Sequence, residues 1–282
     1  MPHITVIPTL PPRAVDSHKG TFGRVLIVAG SKGMSGAAVL CGSAALRSGA
    51  GLVTVACPPD IQQIVAMGNP CYTTAAIPQT AQALYDTRSA DAVIHLADDA
   101  DVVAIGPGLG HRPDVAELLR AVLTALPGTP IVLDADALNV FQVEMLSNRT
   151  VPPILTPHPG EFARMKQLSV AEIQIDREGV ASRFAKRQRV VLALKGHGTI
   201  VTDGERIYVN ETGNPGMATG GSGDVLTGCI AAFLAQRMTP FDATVLGVWA
   251  HGQAGDFAAK RIGQVGLIAS DVVEELPLVL RN

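Results

Sequence analysis

Residues 24–47 read Arg24-Val-Leu-Ile-Val-Ala29, then Gly30-Ser-Lys-Gly33-Met-Ser-Gly36, then Ala-Ala-Val-Leu-Cys-Gly-Ser-Ala-Ala-Leu-Arg47. The first six residues are too few for a helix and apolar at nearly every position, as a strand buried on both faces of a parallel sheet must be. The glycines punctuate the chain, and helical spacing follows from Gly36 to Arg47. Strand, tight turn and helix make half of a βαβ unit. The same pattern recurs outward. Leu52–Ala56, Asp101–Ile105, Ile131–Asp134 and Val190–Leu194 are further short apolar runs, with Gly, Pro or Asp at or near their ends. Helical spacing occupies Asp114–Leu126 and Val170–Arg187. This alternation predicts an α/β fold with a central, mostly parallel sheet flanked by helices.

The pattern changes after Lys195. Gly196–Asn210 predicts a late β-hairpin, because Asp203-Gly204 is a tight-turn signal between two alternating runs. Asp224–Arg237 and Phe241–Arg261 then read as consecutive helices, so the last third is sheet edge plus helices. No linker, charge block, repeat or low-complexity tract divides the chain, and residues 1–282 are expected to form a single domain.

Of the 282 residues, 47% are hydrophobic, 17% charged and 4% aromatic, with a formal net charge of −3. The apolar share is that of a packed globular protein. A negative balance with scarce aromatics offers nucleic acid neither a basic field nor stacking platforms. Cys41, Cys57, Cys71 and Cys229 form no CxxC pair and read as small hydrophobes in a reducing compartment. The N-terminal residues MPHITVIPTLPPR lack an apolar signal core, and no run approaches the ~20 residues needed to span a bilayer, so a cytoplasmic location and no membrane partner are expected.

In open parallel sheets ligands bind at the carboxyl ends of strands, and five glycine-bearing loops lie there. Gly30–Gly36 has the spacing GxxGxxG, which a dinucleotide fingerprint does not, and a plain strand-to-helix turn explains it equally well. In Gly106-Pro-Gly-Leu-Gly110 the proline lacks an N–H, so the loop suits a pocket wall better than a phosphate cradle. Leu155-Thr-Pro-His-Pro-Gly-Glu161 braces His158 between prolines at a strand end, well placed for a ligand. In Lys195-Gly-His-Gly-Thr199 the glycines permit close approach to an anion and Thr199 adds a hydroxyl, although Lys195 alone could be an ordinary solvated charge. The strongest loop is Thr219-Gly-Gly-Ser-Gly-Asp224, followed by an amphipathic helix Val225–Gln236. Its glycines let several N–H groups point at one spot, where a helix N-terminus adds roughly half a positive charge. Gly220, Gly221, Ser222 and Gly223 are thus a candidate anion hole for a phosphoryl group. Asp224 could serve merely as a helix-start acid, but a cap does not require three glycines. There is no P-loop, HExxH, GxSxG or kinase catalytic-loop signature.

Gly-Ser-Gly-Asp at the start of a late helix resembles the GxGD anion hole and catalytic Asp of the ribokinase superfamily. His18-Lys-Gly-Thr-Phe-Gly-Arg24, GSKGMSGAA, Arg47-Ser-Gly-Ala-Gly-Leu-Val53, GPGLG, Leu133-Asp-Ala-Asp-Ala-Leu-Asn139, TPHPGE, KGHGT, NPGMATGGSGD and Ala250-His-Gly252 occur in that order. Together they resemble the ADP/ATP-dependent NAD(P)H-hydrate dehydratases, a ribokinase-like family. The resemblance implies phosphorylation of a ring hydroxyl followed by elimination, with ADP or ATP as co-substrate, Mg²⁺, and NADHX or NADPHX as substrate. It makes Asp224 the catalytic base. Lys195, Gly196, His197, Gly198, Thr199 and Gly223 would hold the nucleotide, and Ala38, Gly110, His158 and Asp224 the hydrate. Asn139, after the Asp134/Asp136 strand end, would order Mg²⁺ or phosphate through water; no direct metal ligand is assigned. It also implies a homotetramer, an ADP preference for a stand-alone form, and an NAD(P)HX epimerase supplied by a separate gene, since no such domain fits before His18. The rivals are a ribokinase-like small-molecule kinase of the hydroxyethylthiazole or pyridoxal type, which would release a phosphorylated product, and a nucleotide-sensing module without turnover. A dehydrogenase is disfavoured by the glycine spacing.

Overall fold

The computed structural model describes residues 1–281. Strand β1 (Arg24–Val28) is followed by α1 (Ser35–Arg47), β2 (Leu52–Cys57), α2 (Pro59–Gly68) and β3 (Thr73–Ala76). The chain then crosses to the other side of β1 through α3 (Thr87–Ala97), β4 (Val102–Ile105), α4 (Pro113–Ala125), β5 (Ile131–Leu133) and α5 (Asp136–Val140). Next come β6 (Ile154–Leu155), α6 (Pro159–Lys166), α7 (Val170–Ile175), α8 (Arg177–Gln188) and β7 (Val191–Leu194). The hairpin β8 (Ile200–Thr202) and β9 (Ile207–Val209) precedes α9 (Ser222–Ala235), α10 (Pro240–Ile262) and α11 (Ala269–Val279).

The nine strands form one sheet in the order β3-β2-β1-β4-β5-β6-β7-β8-β9. All pairs from β3 to β7 are parallel, and the hairpin closes the edge antiparallel. Alternate strand residues feed two cores. Val25, Ile27, Val53, Val55, Val102, Ala104 and Val132 pack with α1, α9, α10 and α11. Leu26, Val28, Val103, Ile105, Ile131 and Leu133 pack with α3, α4, α6 and α8. That division explains why the strands read as continuously apolar. The order reverses between β1 and β4, so the loops after those strands flank the sheet's switch point, where such folds bind ligands.

Three expectations need correction. The helix after GGSGD is not amphipathic: every residue from Val225 to Ala235 is buried, as in a helix packed on all sides. Val170–Arg187 is not one helix but two, broken at Asp176, whose side chain accepts from the Gly179 amide and starts α8 afresh. The short strands β3 and β6 add to the five runs recognised, the first being Thr-Thr-Ala-Ala and the second only two residues long. The N-terminal segment lies along the hairpin edge, with the Ile4 amide donating to Ile207 at 2.7 Å. No helix among the described residues is long and apolar enough to cross a membrane.

Candidate active site

The candidate anion hole, Gly220 to Gly223, turns into α9 at Gly221, the residue before the helix, at φ 91°. A side chain there would strain the backbone and strike Leu40, so glycine is required. No side chain caps α9. The amides of Gly221, Gly223 and Asp224 donate to no other group among the described residues. A Cβ at Gly220 would meet open space, and one at Gly223 would lie 3.2 Å from the Lys195 ammonium. Unsatisfied N–H groups at a helix start, facing a cation, form an anion site.

Asp224 stands in the first turn of α9, and its carboxylate makes no hydrogen bond within the described residues. It is therefore not a helix cap. Burial, reinforced by the charge of Asp134 and only partly offset by Lys195, pushes its carboxyl up to about 7. A carboxylate with that affinity is matched to accepting a proton at neutral pH.

Beneath it lies Asp134, only 1% exposed. Its Oδ1 accepts from Lys195 Nζ and its Oδ2 from Thr227 Oγ1, each at 2.7 Å. Lys195 also reaches Glu161 at 4.0 Å. Burial works against the Lys195 charge, but Asp134, Glu161 and Asp224 together hold the ammonium above its ordinary value. Lys195 is thus no solvated surface charge. It is a fixed cation in a nest of carboxylates.

His158 is the N-cap of α6. Its Nδ1 accepts from the amides of Gly160 and Glu161 at 3.0 and 3.3 Å. Glu161 returns the contact, accepting from the His158 amide at 2.7 Å and lying 3.3 Å from Nε2. An accepting Nδ1 leaves the ring proton on Nε2. Burial first, then Lys195 and Arg164, push the imidazole down, which favours the neutral ring. The sequence suggested two prolines as the brace; the capping box with Glu161 adds a second lock.

The remaining loops form walls. The Gly30 amide donates to the Pro107 carbonyl at 2.8 Å, and Gly108 sits against Met34 and Ala37, joining GSKGMSG to GPGLG. A Cβ at Gly106 would lie 1.9 Å from the Asp134 carbonyl oxygen. The Gly110 amide is taken by Asp136 at 2.7 Å, so GPGLG is no phosphate cradle. Ala38 is fully buried, its methyl packed toward Gly30, while Gly36 of the same helix start is exposed and faces open space. Asn139 uses both polar atoms inside the protein, donating to Asp136 and accepting from Arg164. His197 presents an exposed ring, and Thr199 Oγ1 donates to the Gly196 carbonyl at 2.9 Å. His251, noticed in the sequence only within Ala250-His-Gly252, has Nε2 3.3 Å from Ser222 Oγ at the anion hole, and burial pushes its ring down to about 4. Two surface clefts, one at Arg24, Leu52 and Thr73 and the other at Val190, Asp203 and Phe241, open at the amino ends of strands and hold none of these groups.

With this geometry, residues 25–278 match the profile of the NAD(P)H-hydrate dehydratases. The chain belongs to that family. It is 44% identical to the bifunctional NAD(P)H-hydrate repair enzyme Nnr of Moorella thermoacetica over 97% of this chain and 52% of that protein. It therefore spans about half the length of such bifunctional relatives. It is also 40% identical to the ADP-dependent (S)-NAD(P)H-hydrate dehydratase of Neisseria meningitidis, over 92% of this chain and 86% of the relative. Among solved structures, the Bacillus subtilis ADP/ATP-dependent NAD(P)H-hydrate dehydratase co-crystallised with ATP/Mg²⁺ superposes with a TM-score of 0.83 at 34% identity, covering 96% of this chain and 93% of that one. A hydroxyethylthiazole kinase from Pyrococcus horikoshii shares the fold, with a TM-score of 0.61 at 17% identity.

Proposed function

We propose that the chain repairs hydrated NADH and NADPH by phosphorylating and then eliminating the ring hydroxyl, with ADP or ATP as phosphoryl donor. The observation that carries this reading is Asp224, uncapped, poised near neutrality and set among unsatisfied amides at the start of α9. Asp224 takes the proton of the C6 hydroxyl while the terminal phosphoryl group moves to that oxygen. The amides of Gly221, Gly223 and Asp224 and the Lys195 ammonium stabilise the charge on the moving group. Phosphate then leaves C6 with its bonding electrons, pushed by the ring nitrogen lone pair, and loss of a proton from the adjacent ring carbon restores the double bond of NAD(P)H. The product nucleotide is AMP from ADP, or ADP from ATP.

Lys195–Thr199 and Gly223 are assigned to the nucleotide, with Gly220, Gly221 and Ser222 completing the anion hole. Ala38, Gly110, His158 and Asp224 are assigned to the hydrate, Ala38 through its backbone because its methyl is turned inward. No cluster of three or more metal-ligating side chains exists among the described residues. Mg²⁺ keeps several waters and is commonly held by phosphates with few protein ligands. When bound it would neutralise charge on the phosphates, and the nearby residues Asp136 and Asn139 are already hydrogen-bonded within the protein.

A dehydratase specific for one hydrate epimer needs an epimerase as functional partner, consistent with relatives named as bifunctional repair enzymes. Cytoplasmic residence and a homotetramer complete the proposal, the latter measurable by light scattering. The decisive test is incubation with hydrated NADH, Mg²⁺ and either nucleotide. Recovery of reduced-nicotinamide absorbance with equimolar free phosphate is expected. Accumulation of a stable phosphorylated dinucleotide would overturn the reading in favour of a simple kinase.

A further inference from the structure

Arg177 is the first residue of α8, a position where the helix field disfavours a cation. Among the described residues it makes no salt bridge: its neighbours Asp176 and Glu178 pair instead with Arg183 and His3. Its guanidinium reaches the loop Lys195–Thr199 from behind. Nη1 donates to the His197 carbonyl at 2.5 Å, and Nη2 to the carbonyls of Leu194 and Lys195 at 3.2 and 3.3 Å. The fork lies against Gly196, where a Cβ would stand 3.1 Å from Nη2 and where φ is +137°.

A peptide plane holds its C=O and the following N–H in opposite directions. Drawing the Lys195 and His197 carbonyls toward Arg177 therefore turns the Gly196 and Gly198 amides away from it. Neither amide donates to any group among the described residues. Two glycine amides aimed outward from one loop form an anion nest, and the cation behind them strengthens it. We infer that Arg177 is a positioning residue which sets the Gly196 and Gly198 amides for the phosphates of the nucleotide. It touches neither substrate. The inference rests on the assignment of this loop to the nucleotide.

The test uses Arg177→Met, with Arg177→Gln and Arg177→Lys as milder variants, in the whole enzyme. KM is measured separately for ADP and for hydrated NADH, and AMP binding by calorimetry. Arg177→Met should raise KM for ADP and weaken AMP binding about tenfold or more, with KM for the hydrate within twofold of wild type. Arg177→Lys should recover only part of this, since an ammonium cannot span three carbonyls as a planar fork does. Unchanged AMP binding in a folded variant would overturn the inference, as would equal losses for both substrates or failure of all three variants to fold, either of which makes Arg177 a structural strut. Wild-type protein that binds neither AMP nor ADP would sink the nucleotide assignment instead.

Discussion

Asp224 carries the sharpest consequences at the level of single residues. Asp224→Asn keeps its shape but removes the proton acceptor, and loss of a positioned base typically lowers the rate by about 10²–10⁴-fold. Since the carboxylate caps nothing in the structure, kcat should fall at least a hundredfold while AMP still binds. A folded variant with near-normal turnover would strip Asp224 of its role. The acid limb of kcat/KM should lie near pH 7, because the base is protonated and idle below its raised value. Asp134 supplies the larger of the two carboxylate charges behind that elevation, after burial. Asp134→Asn should therefore move the limb to lower pH and reduce kcat, since Lys195 loses its anchor. A limb that stays or rises would show that Asp134 does not tune the base. Asp224 was legible in the sequence because three glycines before a helix have few other uses. Thr227 and Glu161 were not: a threonine in an apolar helix and a glutamate after a proline-glycine pair look ordinary until their partners are known.

Among the elements, α6 separates the two roles of His158. Asn is a good helix cap and Ala is not, with about 0.5–2 kcal/mol between them. His158→Asn should leave the melting temperature close to wild type and chiefly raise KM for the hydrate, as expected for lost uniform binding. His158→Ala should raise that KM and also lower the melting temperature by several degrees. If His158→Asn abolished kcat at unchanged KM, the ring would be moving protons. The strands β1, β2, β4, β5 and β7 were readable because burial on both faces leaves an unbroken apolar run. Strand β3 is small and half-polar at the sheet edge, and β6 is too short to show a period. The false continuity of Val170–Arg187 has a similar cause, because helical spacing carries through Asp176 although the backbone there is not helical.

Across the whole molecule, the raised Asp224 carboxyl implies a dependence of stability on pH. Its folded-state value of about 7 exceeds the ordinary 3.8, so between those values the folded state binds more protons than the unfolded one. The group's contribution therefore falls as pH rises from about 4 to about 7. Asp224→Asn removes that slope. Thermal melts of the two proteins should converge near pH 4 and separate toward pH 7, with the variant the more stable by a few degrees; a gap constant across that range would contradict it. The two core helices α1 and α9 approach closely where Gly228 meets the Cys41 carbonyl, the Ala44 methyl and the Ala45 amide. A Cβ at Gly228 would lie 2.2 Å from the Cys41 carbonyl oxygen and 3.0 Å from the Ala45 amide. Gly228→Ala should cost about 1–3 kcal/mol by forcing the helices apart, seen as a lower denaturation midpoint, and a neutral substitution would show that the helices can slide.

That contact also acts as a ruler. Ala38, assigned to the hydrate, lies near the start of α1, and the proposed anion hole lies at the start of α9, so the close approach of the two helices at Gly228 sets the span between them. A protein engineer seeking to retarget this scaffold cannot lengthen that span by trimming a bulky residue at Gly228, because there is none to trim. New substrates of other lengths would have to be admitted by rebuilding the loops at either end, and a catalyst redesigned in this way should change its substrate range in steps of loop length, with the register between acceptor and donor left untouched.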